Sequence, residues 1–447
     1  MAEVLSWSLA VVLAVAVVAR GWWQPRLSAW WAVAGGRPWP WLLLGYPAVV
    51  LRMRWSWRRL CTTTGLAVMK SPRWLMVGRD TWVAGRSLRP SPPGLGVARP
   101  TRAGLRVRVR LHPGQVPEQV EAVADALAHA WRVHAVRVSS PRRGVVLLVV
   151  TARDPLTAAG GVRPGEGSGV ARRLLSAVVG RLEDGAPWVV DLRRVPHWLV
   201  VGATQSGKST WLASLVTELA PQPVALVGID CKGGLELGLF ERRLSVLATS
   251  RAEAAEVLRA LVEEELPWRM TVCRSAGVRD IWHLPKDERP FPIVVIVDEL
   301  AELYLSDGSR EGRREAADCS VALLRLAQLG RALGAYLVVA GQRVGSELGP
   351  GVTALRAQLG GRVVHRVNDE ATAEMALGDL QPGAVAVAQT IGEDEPGVAV
   401  TAVSGRWSRA RSALVSPEEA ERAAVRYGHR TPVLARLAPP GGEEAAP

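Results

Sequence analysis

Apolar positions fall into three regimes along the chain, and each predicts a different kind of element. Val4 to Ala19 is apolar at every position except Ser6 and Ser8. That run is slightly shorter than the ~20 residues that comfortably span a bilayer. A second apolar stretch, Leu27 to Leu51, contains Arg37, Pro38 and Pro40, which predicts a weaker span or a re-entrant segment. Trp7, Trp22, Trp23, Trp30, Trp31, Trp39 and Trp41 decorate the ends of these runs, where indole rings favour the membrane–water boundary. Arg52, Arg54, Arg58 and Arg59 come next, and such a cluster marks the cytoplasmic side. Only Glu3 precedes the first run, so the basic start of a cleaved secretory signal is missing. Residues 1–60 are expected to anchor the chain in the cell membrane through one or two transmembrane segments, with the remainder cytoplasmic.

The second regime is alternation. Residues 61–104 read as a basic linker region, since Arg86 to Gly104 is rich in Pro, Gly and Arg. Leu105–Leu111 then alternates apolar residues with Arg106, Arg108 and Arg110, the period of a half-exposed strand. Val116 to Trp131 has helical spacing, and Val145–Val150 is a short buried strand. A small α+β domain is expected over 105–170.

From 171 to 416 short continuous apolar runs alternate with helical patterns. Expected strands are Trp198–Val201, Val224–Ile229, Ile293–Val297, Tyr336–Ala340, Arg362–Val367 and Val385–Ala388. Helices are expected at Ser209–Ala220, Arg251–Cys273 and Val321–Leu333. That alternation predicts an α/β fold with a mainly parallel sheet covered on both faces. Residues 417–447 read as a short C-terminal tail, disordered from Leu437 onward.

Charge sharpens this division. The net charge is +13, but 17 basic residues against Glu3 and Asp80 lie between Met1 and Arg110, and the remainder is nearly balanced. A membrane face or a polyanion accounts for such local excess. Cys61, Cys231, Cys273 and Cys319 are widely separated with no CxxC pair, so no zinc site or disulfide framework is expected.

The chemistry is carried by Gly202-Ala203-Thr204-Gln205-Ser206-Gly207-Lys208-Ser209, followed by Thr210, a complete GxxxxGK[ST] pattern between a predicted strand and a predicted helix. Gly202 and Gly207 let the backbone curl so that its N–H groups face phosphate. Lys208 neutralises the β and γ phosphates of ATP, and the Ser209 hydroxyl ligates Mg²⁺. Lysine is scarce here, at Lys70, Lys208, Lys232 and Lys286 alone, which adds weight to the one in this loop. Further on, Ile293–Val297 delivers Asp298 and Glu299. Asp298 is suited to the Mg²⁺ shell and Glu299 to orienting or deprotonating the attacking water. A third strand leads to Gln342, a polar amide placed to sense the γ-phosphate.

Four segments in order, Val201–Ser209, Ile229–Leu237, Val295–Glu302 and Leu326–Arg343, resemble the FtsK/SpoIIIE DNA-translocase motors, especially the transfer proteins of actinobacterial plasmids and integrative elements. The resemblance implies a RecA-like P-loop motor that assembles as a homo-hexamer and pumps double-stranded DNA with ATP and Mg²⁺. It carries over Lys208, Ser209, Asp298 and Glu299, sets Gln342 at the sensor position, and puts Arg331 where related conjugative motors have a trans-acting arginine finger. Asp230, Lys232 and Glu236 fall in a segment that shapes either the subunit interface or the nucleotide pocket, or forms a structural ion pair. Gly341 departs from the threonine or serine common in the family. The short tail leaves no room for a winged-helix module, so sequence-specific DNA loading would either require a separate accessory protein or not occur. Protein secretion by the same motor superfamily, or chromosome segregation, are the alternative roles.

Overall fold

The computed structural model describes residues 41–69, 74–77, 81–84, 90–101, 103–157, 173–306, 308–378, 382–403 and 405–437. The run Val4–Ala19 lies outside the described residues. The chain divides into two compact units: Met1–Ala158 with the turn Glu183–Ala186, and Ala159–Leu182 with Pro187–Pro447.

In the first unit the end of the second apolar stretch departs from the expected span. Trp41–Gly45 forms one π-turn, and a helix then runs from Tyr46 to Thr63 straight through the arginine cluster. Its apolar residues lie on one stripe: Val49, Met53, Trp57 and Cys61, spaced by four, are buried. They share a core with Leu105, Val107, Leu127, Trp131 and Leu148. One apolar stripe is what packing against protein requires, whereas lipid demands apolarity all round. Among the described residues no helix is long and apolar enough to cross a membrane.

The region expected as a linker carries strands. β1 (Trp74–Val77) and β2 (Thr81–Ala84) pair antiparallel. β3 (Gly94–Pro100) joins β4 (Gly104–Arg110), β6 (Val145–Thr151) and β5 (Ala135–Arg142) in an antiparallel sheet of order β3-β4-β6-β5. The glycines that suggested a turn permit close strand approach instead. A Cβ on Gly96 would stand 2.9 Å from the Arg108 carbonyl oxygen.

The second unit is built on ten strands: β7 (Ser176–Leu182), β8 (Pro187–Asp191), β9 (His197–Val201), β10 (Ala225–Ile229), β11 (Val246–Ala248), β12 (Ile293–Val297), β13 (Ala335–Gly341), β14 (Gly361–His365), β15 (Val398–Val403) and β16 (Arg406–Ser412). Their order is β11-β10-β12-β13-β9-β14-β15-β16-β7-β8. Pairing is parallel from β11 to β14 and antiparallel from β14 to β8. The sheet is therefore mixed, and the mainly parallel expectation holds for one half only. β7, β8 and β16 mix buried with partly exposed positions and so lack the continuous apolar runs that signal parallel strands. Val385–Ala388, expected as a strand, belongs to the helix Pro382–Gln389, since a four-residue apolar run does not by itself distinguish a strand from a buried helix. The helix Arg251–Ala260 meets Leu266–Ser275 through a π-turn at Leu261–Glu265, next to Pro267, whose missing N–H calls for such relief.

Past Ser416 the chain forms another helix, Pro417–Tyr427. Ser416 and Glu419 cap it reciprocally, and Ala420 and Ala424 join the core of the second unit. That core continues under the Lys208–Leu219 helix, where Trp211 packs between Trp188 and Trp198 in tilted ring contacts at 6.1 and 6.3 Å. The P-loop helix is thus pinned from below by aromatic packing, and its N-terminus is fixed at the sheet edge.

Candidate functional site

The parallel half of the sheet brings the C-terminal ends of β9, β10, β12 and β13 to one edge, where α/β proteins hold phosphates. Gly202 leaves β9 and the loop turns through two left-handed residues, Gln205 at φ +61° and Gly207 at φ +109°. A Cβ on Gly207 would lie 2.5 Å from the Gly397 Cα, and one on Gly202 would lie 2.3 Å from the Ser206 Oγ. Both glycines are sterically required. Gly207 also precedes the Lys208–Leu219 helix without a side-chain cap, so its first-turn N–H groups remain available to an anion. Ser209 and Thr210 lie on this first turn, half-buried, while Thr204 and Gln205 are exposed and Ala203 is buried.

Lys208 reaches across to β12. Its Nζ donates to the Asp298 backbone carbonyl at 2.7 Å and to Glu299 Oε2 at 3.2 Å, and stands 3.7 Å from Asp298 Oδ1. All three side chains are buried. The opposite face of Glu299 is held by backbone: Oε1 accepts the Gln342 N–H at 3.1 Å. The Gln342 side chain itself is exposed. A Cβ added to Gly341 would stand 3.2 Å from Glu299 Oε1, so the larger family residue at this point would press on the carboxylate.

Lys232 completes the cluster, with Nζ 3.6 Å from both Asp298 Oδ2 and Glu299 Oε2. It is positioned by Asp230, a wholly buried carboxylate at the end of β10 that accepts N–H bonds from Lys232, Glu236 and Leu237. The segment around Asp230 therefore shapes the nucleotide pocket. Two ammonium groups face two carboxylates, and the negative charges of Asp230 and Glu236 also act on Asp298. Burial pushes the Asp298 carboxyl above its usual range, with Lys208 and Lys232 pulling the other way. Lys232 is raised: burial opposes this, but the charges of Asp298 and Glu299 outweigh it.

No short sequence pattern places Lys232 at the acid pair, or His365 and Arg366 at the loop. Lysine scarcity, which singled out Lys208, applied equally to Lys232. His365, at the end of β14, is buried beneath the loop with Nδ1 3.1 Å from the Val398 carbonyl. Arg366 donates to the Thr204 carbonyl at 3.2 Å. Arg331 lies elsewhere, exposed in the last turn of the helix Arg310–Leu333. That turn feeds the beginning of β13, a strand length of roughly 20 Å from Gly341, so one subunit does not bring Arg331 to its own nucleotide site.

The buried imidazoles give a pH prediction. Burial lowers His365 to about 4 and His197 to about 4. The unfolded chain then binds more protons than the folded one between those values and about 6.5. Stability is complete above that range and declines as pH falls toward 4. The thermal midpoint is expected to drop over this window. His365→Gln should flatten part of the drop, and an unchanged profile would refute the assignment.

The arrangement fits Mg²⁺–ATP on three counts. Asp298 Oδ1 and Ser206 Oγ are buried without hydrogen-bond partners among the described residues, the helix start offers free N–H groups, and the loop glycines leave no room for a Cβ. Residues 28–152 match the actinomycete conjugal transfer protein N-terminal domain, and residues 170–284 and 282–346 match the FtsK/SpoIIIE family. The transfer protein TraSA of Streptomyces ambofaciens is 45% identical over 358 residues, covering 78% of this chain and 85% of that protein. A DNA translocase FtsK of Caldanaerobacter subterraneus subsp. tengcongensis is 33% identical over 192 residues, 41% of this chain and 25% of its own. Among solved structures, the pCW3 conjugation coupling protein TcpA, a monomer with ATPγS, superposes at a TM-score of 0.52 with 20% identity, covering 74% of this chain and 93% of that one; this likeness concerns the fold. With the phosphate loop, the acid pair and these matches together, the chain belongs to the FtsK/SpoIIIE family as a P-loop ATPase of the actinomycete conjugal transfer type.

Proposed function

We propose that the chain is a membrane-anchored, ATP-driven translocase of double-stranded DNA in conjugative or mobile-element transfer, working as a homo-hexamer. The observation that carries this reading is the Lys208–Asp298–Glu299 cluster, in a chain whose N-terminal part matches a conjugal transfer domain. The names of the relatives, a transfer protein and a DNA translocase, supply the cargo. Residues 1–40 carry the apolar run expected to anchor it.

Ser209 and Asp298 would hold Mg²⁺, which supplies charge neutralisation for the transferring phosphate. The rest of the chemistry belongs to the chain. Lys208 rests on Glu299 Oε2, and a phosphate oxygen competes for the same ammonium. Once Lys208 turns to phosphate, Glu299 Oε2 gains freedom to take a proton from water, while the Gln342 N–H still fixes Oε1. Lys232 remains beside both carboxylates and keeps the pair from carrying uncompensated charge. Arg331 is assigned to the neighbouring subunit's site, since its own lies too far away.

Full-length protein in detergent should hydrolyse ATP faster when duplex DNA is added, with DNA affinity falling steeply as salt rises. A hexamer whose ATPase rate ignores DNA would overturn the cargo assignment.

A further inference from the structure

The four-stranded sheet of the first unit has two unlike faces. Leu105, Val107, Val109, Val146, Leu148 and Val150 are buried on one side. The register sets rows on the other: Arg99, Arg106, Val149 and Arg137; then Arg108, Leu147 and Ser139; then Arg110, Val145 and Arg142. Six arginines frame a half-buried aliphatic strip, and no acidic residue occurs in these rows. Along β4 the arginines recur every second residue, roughly 7 Å apart.

Anions already sit at one end of this face. Arg106 meets Asp184 at 3.2 Å and Arg137 meets Glu183 at 2.6 Å, both acids from the turn that belongs to the same unit. Arg99, Arg108, Arg110 and Arg142 are exposed, with no ion pair among the described residues. Exposed like charges on adjacent strands destabilise a sheet, so such a frame calls for a polyanion.

We propose that this face is a second contact surface for the phosphate backbone of duplex DNA, separate from the motor. The inference rests on the translocase reading and adds a site to it. Charge complementarity identifies the occupant: guanidinium groups bind phosphate in bidentate fashion, and duplex DNA offers a charge about every 1.7 Å of axis. A membrane surface is disfavoured because the rows contain no aromatic residue and their aliphatics are recessed on the central strand, whereas interfacial binding needs protruding apolar groups. With no base-reading geometry in these rows, the contact is independent of DNA sequence.

The test uses the full-length chain in detergent with Arg108, Arg110 and Arg142 replaced together by glutamine. Binding to a fluorescent duplex is titrated over salt concentration. Three lost phosphate contacts should make the slope of log affinity against log salt shallower by about 2–3, and the triple lysine variant should retain most of it. Basal ATP hydrolysis should be unchanged, since these residues lie outside the catalytic machinery. An unchanged slope and affinity overturns the proposal, as does a loss confined to phosphatidylglycerol vesicles or to acidic proteins. Failure of wild-type protein to show DNA-stimulated hydrolysis would count against the translocase reading instead, because the slope is measured without turnover.

Discussion

Lys208→Ala is expected to lower ATP turnover by about 10²–10³-fold or more, the usual loss when one preorganised positive group facing transition-state charge is removed. Nucleotide affinity should fall as well, because the same ammonium serves bound phosphate in ground and transition states. The structure adds a second, separable effect. Lys208 neutralises two buried carboxylates and donates to the Asp298 carbonyl. Its removal leaves Lys232 alone with both acids. Breaking a buried pair costs about 3–5 kcal/mol when no partner remains, so with Lys232 still present the loss should stay below that. The sign of its pH dependence is fixed. Asp298 is already raised by burial, and losing a cation raises it further. A raised carboxylate binds its proton more tightly when folded, so it weakens the fold as it ionises. The gap in thermal midpoint between variant and wild type should widen as pH rises through the raised Asp298 titration and narrow on acidification. A gap independent of pH would mean that Lys208 does not interact with the acid pair in solution.

Why some of this was legible in the sequence and some was not follows from the range of each interaction. The phosphate loop is a local object: Gly202, Gly207, Lys208 and Ser209 lie within eight residues, and their roles depend on backbone curvature close by. The strand bearing Asp298 and Glu299 is equally local, an apolar run ending in two acids. Lys232 and His365 are different. They reach the site only because β10 pairs with β12 and β14 pairs with β9, and strand order is not encoded in any short pattern. The helix Tyr46–Thr63 shows a related failure. Apolar content over Leu27–Leu51 suggested lipid, while the stripe Val49, Met53, Trp57 and Cys61 extends past that window into the arginine cluster. Averaging hydrophobicity hid the period. β16 was missed because its exposed and half-buried positions carry polar residues such as Arg406, Ser408 and Arg409, whereas β15 is buried at every position but its last and was missed although Val398–Val403 is apolar apart from Thr401.

Glu299→Gln should separate holding ATP from cutting it. The amide keeps the shape of the carboxylate and can still accept the Gln342 N–H, so the turn after β13 should retain its place. It no longer offers a base, and loss of a positioned general base typically costs 10²–10⁴-fold. Binding should persist or tighten, for one negative charge beside the phosphates is gone and Lys208 is released from Glu299 Oε2. Single-turnover hydrolysis with enzyme in excess, set beside equilibrium binding of a fluorescent nucleotide, reads the two quantities independently. If turnover stayed near the wild-type rate, the proton would be going elsewhere and Asp298 would become the candidate base. If binding collapsed together with turnover, Glu299 would be a structural prop for Lys208 and Lys232. The expected combination, tight binding with slow hydrolysis, requires that the balance of two ammoniums against two carboxylates be adjustable. That adjustability is what lets Lys208 leave Glu299 for phosphate, and it is supplied by Lys232, half-exposed and held by a loop that Asp230 keeps in place from below.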